Sequence, residues 1–126
     1  MKRPEQFIHI AVAEHLRRRG VPGLVYFHCP MGAYYASRFQ GAMMQALGAR
    51  KGVSDFILVH QSKIFALELK AEGGRASEEQ LLFIADMERQ GAYCAIATGI
   101  DQALATLEAW NLILPDLGRR PQSRAA

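Results

Sequence analysis

The sequence predicts an α/β domain with a mixed central sheet. Apolar stripes at helical spacing recur in separate segments, short apolar runs bounded by turn residues lie between them, and 126 residues make one domain but not two. Half the residues are hydrophobic and 21% are charged, which excludes intrinsic disorder and collagen-like chains. No apolar run reaches the length of a membrane span, and Glu5, His9 and Glu14 interrupt any signal-peptide core. Cys29 and Cys94 give neither a disulfide framework nor a C-x-x-C pair, so a reducing cytosol is the expected compartment.

Pro4 and Glu5 open a helical pattern that runs to Arg19 and stops at Gly20, with Pro22 beyond. Acid in the first turn and Arg17, Arg18 and Arg19 in the last both suit the helix dipole. Ile8, Val12 and Leu16 form one stripe at 100° per residue, a stripe that also contains Glu5 and leaves Glu14 on the opposite side. Residues 24–28 read as a strand. The glycine-punctuated stretch 29–53, with Tyr34, Tyr35 and Arg38, contains a short helix over 43–47. Strands are predicted over 55–59 and 63–70, a helix over 77–90, a strand over 92–98 and a helix over 101–110. Ser77-Glu78-Glu79-Gln80 has the form of a capping box, and Gly91 suits a helix stop. The domain spans 4–114, and residues 115–126, with two prolines and three arginines, read as an exposed basic tail.

The hairpin carries the chemistry. An even-length turn centred between Gln61 and Ser62 sets His60 against Lys63, Val59 against Ile64 and Asp55 against Glu68. Directly opposed side chains stand ~5 Å apart, and like charges there are destabilising. Strand alternation puts Glu68 and Lys70 on one face, Leu67 and Leu69 on the other. Two carboxylates and an ammonium thus converge, an arrangement suited either to a hard divalent cation or to an internal ion pair with Lys70. His15, His28 and His60 have no zinc-ligand spacing with one another or with the cysteines.

These residues resemble a known family. Gly52-Val53-Ser54-Asp55, twelve residues, then Glu68-Leu69-Lys70 looks like the PD-(D/E)XK nuclease motif, and its context is similar to the VRR-NUC branch, the virus-type replication-repair nucleases. That context is an N-terminal helix with an acid (Pro4-Glu5 through His9), the Gly-Val-x-Asp strand start, the Glu-x-Lys strand, a glycine-rich turn at Gly73-Gly74 and a helix beginning Ser77-x-x-Gln80. The resemblance covers residues 4–110. Ser54 stands where proline is usual, and His9 where many members have glutamine, which leaves both Glu5 and Glu14 as candidates for the helix acid; the stripe favours Glu5.

The resemblance implies a restriction-endonuclease-like fold and a Mg²⁺- or Mn²⁺-dependent DNA endonuclease that hydrolyses phosphodiester bonds. Asp55 and Glu68 are then metal ligands with the Leu69 carbonyl, and Glu5 completes the site or holds a second ion. Lys70 orients the attacking water, and Gln80 lies near the centre, although a capping residue belongs there without catalysis. Single-domain members resemble Holliday-junction resolvases, so four-way junctions and a homodimer are expected, in a bacterial or phage-infected cell. The alternatives are a monomeric flap, single-strand or nonspecific nuclease, and a DNA-binding module whose acidic cluster is structural. His9 reads as a helix-packing residue rather than a ligand. Phe7, Leu81, Leu82, Ile84, Ile96, Leu104, Leu107 and Trp110 read as core or interface.

Charge is segregated along the chain. Residues 1–54 hold eight basic residues against two acidic ones, residues 55–118 hold four against ten, and Arg119, Arg120 and Arg124 close the tail. Basic segments flanking an acidic middle suit a polyanion partner as well as a solvated surface. The candidate DNA contacts are Arg50 and Lys51, with Arg38 and Arg75 behind them and Arg17 and Arg18 at the helix end. Tyr34 and Tyr35 could stack on unpaired bases or pack in a core or dimer contact.

Overall fold

A computed structural model describes residues 3–30 and 38–116. Along the chain they form α1 (Arg3–Arg19), β1 (Val25–His28), α2 (Arg38–Ala46), β2 (Phe56–His60), β3 (Lys63–Lys70), α3 (Glu78–Arg89), β4 (Tyr93–Thr98) and α4 (Gly99–Ala109). The strands make one mixed sheet in the order β1-β2-β3-β4. β1, β2 and β3 are antiparallel neighbours, and β3 pairs in parallel with β4 across the α3 connection. The α/β class and the mixed sheet expected from the sequence are therefore present.

The hairpin has the expected register, with Phe56 opposite Leu67, Val59 opposite Ile64 and His60 opposite Lys63. Gln61 and Ser62 both take positive φ, 49° and 63°. A two-residue type I′ turn requires this, because its twist matches that of the flanking strands. Neither residue is a preferred occupant, so strand pairing rather than turn chemistry sets the register.

β3 is buried from Phe65 through Leu69. Phe65, Leu67 and Leu69 join Phe56, Leu58, Ile8, Val12, Leu16, Leu104 and Leu107 in the core beneath α1 and α4. Side chains alternate along a strand, so Ala66, Glu68 and Lys70 turn to the other face. There α3 sits: Gln80 reaches Glu68, and the Cys94 thiol lies 3.9 Å from the Ile84 carbonyl. The predicted α1 stripe is confirmed, with Ile8, Val12 and Leu16 buried, Glu5 half-buried and Glu14 exposed.

The end of α1 is tied to the segment after α4. Leu114 donates its N–H to the Arg19 carbonyl, and the buried Arg19 side chain donates to the Leu114 carbonyl at 2.8 Å and to Glu108 at 2.7 Å. The dipole complement read from the sequence thus includes a buried guanidinium that closes one end of the core.

Several boundaries differ from the sequence expectation. The helix predicted over 43–47 is α2, beginning at Arg38, so a helix separates β1 from β2. Glycine at position 41 obscured it by its low intrinsic helix propensity. β2 starts at Phe56, leaving Asp55 just outside the ladder. Of the residues read as core or interface, Leu104 and Leu107 are in the core, whereas Phe7, Leu81, Leu82 and Ile96 are exposed, which overturns the core half of that reading for them. Among the described residues no helix is long and apolar enough to cross a membrane. Tyr34, Tyr35, residues 117–126 and the side chain of Arg38 lie outside what is described.

Candidate functional site

Asp55 reaches the site because β2 begins one residue later and its register sets Asp55 across from Glu68. The approach is fixed by Gly52. Its φ is 84°, and a Cβ there would stand 2.3 Å from the Glu79 backbone in the first turn of α3. Only glycine permits both the left-handed backbone and that close passage. The loop before β2 is thereby laid against the start of α3, beside the residue that meets Glu68.

Asp55 Oδ2 accepts from the Leu69 N–H at 2.7 Å. His9 Nε2 faces the same oxygen at 3.4 Å from α1. The Asp55 carbonyl accepts from the Cys29 N–H at 2.9 Å, and His28 Nδ1 lies 2.8 Å from it. A carbonyl only accepts, so His28 Nδ1 carries the proton. The two imidazoles meet edge to face at 5.2 Å, and both lie over Phe56. Burial works against the charge on Asp55, but His9 and the Leu69 N–H outweigh it and hold the carboxyl below its ordinary range.

Glu68 is 1% exposed. Its Oε2 accepts from Gln80 Nε2 at 2.7 Å, with Lys70 Nζ 4.0 Å away, while Oε1 is buried without a hydrogen-bond partner among the described residues. Burial and then the neighbouring Asp55 carboxylate push Glu68 up to about 8, against the pull of Lys70. Gln80 is the capping-box residue of α3: its Oε1 accepts from the Ser77 N–H, and Ser77 Oγ accepts from the Gln80 N–H. One side chain therefore closes the helix and holds the acid.

The structure brings together Asp55, Glu68, Leu69, Lys70 and Gln80. Glu5 lies one turn before His9 on α1 and makes no ion pair or hydrogen bond with another described residue. Among the described residues no group of three His, Cys, Asp or Glu side chains is arranged to hold a metal ion. The donor set nevertheless fits one hard cation. Two oxygen acids meet, one oxygen of Glu68 is buried and unsatisfied, and Mg²⁺ is commonly held by one or two carboxylates with water completing its shell.

The candidate DNA contacts are not drawn to one place. Arg50 is bonded to Asp86 at 2.6 Å and lies over the Phe83 ring. Arg18 pairs with Asp116 at 3.5 Å. Arg17, Lys51 and Arg75 are exposed. No sequence signal places His28 at the site, because its position depends on the β1–β2 pairing that sets His28 opposite Phe56. His9 packs in the helix interface as expected, and in doing so it faces Asp55. Its position four residues after Glu5 on the buried stripe was the available signal.

A family model described as the VRR-NUC domain matches residues 8–101. Among solved structures, a VRR-NUC domain protein aligns with a TM-score of 0.71 at 18% identity, over 92% of this chain and 95% of that one. At that identity the likeness is one of fold. No curated protein matches the chain.

Proposed function

The chain belongs to the VRR-NUC domain family, and from that membership and the cluster around Glu68 we propose that it is a divalent-metal-dependent DNA endonuclease that hydrolyses phosphodiester bonds. The observation that carries the reading is the buried Glu68 carboxylate, set beside Asp55 with one oxygen unsatisfied. Two acids packed this closely without a cation cost stability, and a hard ion between them offsets that cost.

Asp55, Glu68 and the Leu69 carbonyl would hold Mg²⁺ or Mn²⁺. In an extended strand a residue's carbonyl points to the same side as its N–H, and the Leu69 N–H points to Asp55. Glu5, a turn before His9, is the proposed outer acid. When bound, the ion supplies Lewis-acid polarisation of the phosphate and an acidified water. The chain's own residues do the rest. Gln80 fixes the Glu68 carboxylate, and Leu69 and His9 fix Asp55. Lys70, held 4.0 Å from Glu68, places an ammonium where it can orient the nucleophilic water and offset charge developing on the phosphate.

Branched DNA, four-way junctions in particular, is the proposed substrate, and a homodimer the proposed form. C₂ pairing would supply two sites for the symmetric strands of such a junction. Arg50, Lys51, Arg38, Arg75, Arg17 and Arg18 are the proposed phosphate contacts.

The test is a cleavage panel of four-way junction, flap, duplex and single strand with Mg²⁺ and with Mn²⁺, beside the solution mass. Asp55→Asn, Glu68→Gln and Lys70→Met should each lower cleavage about a hundredfold or more. Asp55→Asn should also abolish Mn²⁺ binding by calorimetry. Normal cleavage by these variants would refute the site; cutting of flaps or single strands with junctions left whole would refute the proposed substrate.

A further inference from the structure

The two acids are held by different means, and the means bear on which ion they accept. Glu68 has one oxygen bound by Gln80 and one unpartnered. Asp55 has a single oxygen, Oδ2, facing two nitrogen groups: the Leu69 N–H at 2.7 Å and His9 Nε2 at 3.4 Å. His9 is nearly buried, its Nδ1 has no partner, and its ring is held by the edge of His28 at 5.2 Å and by Phe56. Among the described residues its one polar contact is thus with Asp55. A carboxylate only accepts, so the contact is a bonding one when Nε2 carries the ring proton.

We propose that His9 is a positioning residue that fixes ion selectivity, occupying Asp55 Oδ2 together with the Leu69 N–H so that only Oδ1 remains to ligate. The inference rests on the metal-site reading above and adds a preference to it. A carboxylate with one free oxygen binds an ion monodentately. Mg²⁺, small and strict in its octahedral geometry, accepts that, whereas Ca²⁺ favours more oxygens and takes carboxylates bidentately. Removal of the His9 donor frees Oδ2 from one of its two partners and lets the carboxylate turn. The site should then lose its hold on the smaller ion more than on the larger.

The experiment is calorimetry of the full chain with Mg²⁺ alone and with Ca²⁺ alone, on the wild type, His9→Leu and His9→Gln. Leucine fills the buried position without a donor, and glutamine restores an N–H. His9→Leu should weaken Mg²⁺ binding about tenfold or more while Ca²⁺ binding changes less than about threefold, and His9→Gln should regain most of the Mg²⁺ affinity. An unchanged ratio of Mg²⁺ to Ca²⁺ affinity in His9→Leu overturns the proposal and leaves the metal site standing. A wild-type chain that binds neither ion overturns both. A second readout needs no variant: nitrogen NMR of the metal-free wild type should find His9 protonated at Nε2, and a bare Nε2 overturns the assigned contact.

Discussion

Gln80 donates to Glu68 Oε2 at 2.7 Å while its own carbonyl oxygen accepts from the Ser77 N–H. A capping box tolerates glutamate as readily as glutamine at this position. The second bond does not, because Glu68 offers only an acceptor when ionised. Gln80→Ala should cost about 1–2 kcal/mol through the lost cap and the lost bond to Glu68. Gln80→Glu keeps the cap but sets a third carboxylate against two, and it should be the less stable of the variants at alkaline pH. Thermal denaturation of the metal-free proteins in mildly acidic and alkaline buffer checks this, the gap between the variants closing as the acids protonate.

Glu68 makes stability depend on pH in a stated direction. Its folded value is raised to about 8 from an ordinary 4.5, so the native chain holds a proton that the unfolded chain gives up. That contribution is complete below the unfolded value and is lost as pH rises through about 8. Asp55 shifts the other way, and its contribution is lost only as the medium becomes more acid than its ordinary 3.8. Metal-free protein should therefore melt lower at about pH 9 than at about pH 6, and Mg²⁺ should raise the midpoint more at the higher pH. Glu68→Gln should flatten both effects; a melting point that rises steadily over this range would contradict the assignment.

Gly52 should tolerate no side chain. Alanine there meets the Glu79 backbone at 2.3 Å and must hold a φ of 84°. Left-handed strain and overpacking together should cost about 2–4 kcal/mol by denaturant unfolding. Since the loop carries Asp55 to the site, Gly52→Ala should also weaken Mn²⁺ binding, measured in protein that remains folded.

The hairpin turn can be improved. Gln61 and Ser62 both sit at positive φ, where asparagine and glycine are at ease. Gln61→Asn with Ser62→Gly should stabilise the chain by about 1 kcal/mol, read as a higher unfolding midpoint with an unchanged denaturant slope.

Much of this is legible in the sequence, for identifiable reasons. Alternation on 63–70 and the even turn at Gln61-Ser62 gave the register that sets Asp55 across from Glu68. Ser77-x-x-Gln80 announced its helix start because capping is a local, side-chain-to-backbone affair. What escaped was non-local. No spacing in the chain says that β1 pairs with β2, so His28 could not be placed at the Asp55 carbonyl. Arg50 reads from sequence as a candidate DNA contact, because its partner Asp86 lies 36 residues away on α3. Glu5 and His9 share one helix face, and periodicity alone could not tell which of them would meet the aspartate.

β3 alternates between two duties along consecutive residues, with Leu67 and Leu69 in the apolar interior and Glu68 among the acids. A slip of one position would drive the glutamate into oil and strand the leucines among charges. Misthreaded hairpins thus pay twice, in solvation and in lost packing. Selection of the chain path and assembly of the acidic cluster are a single event.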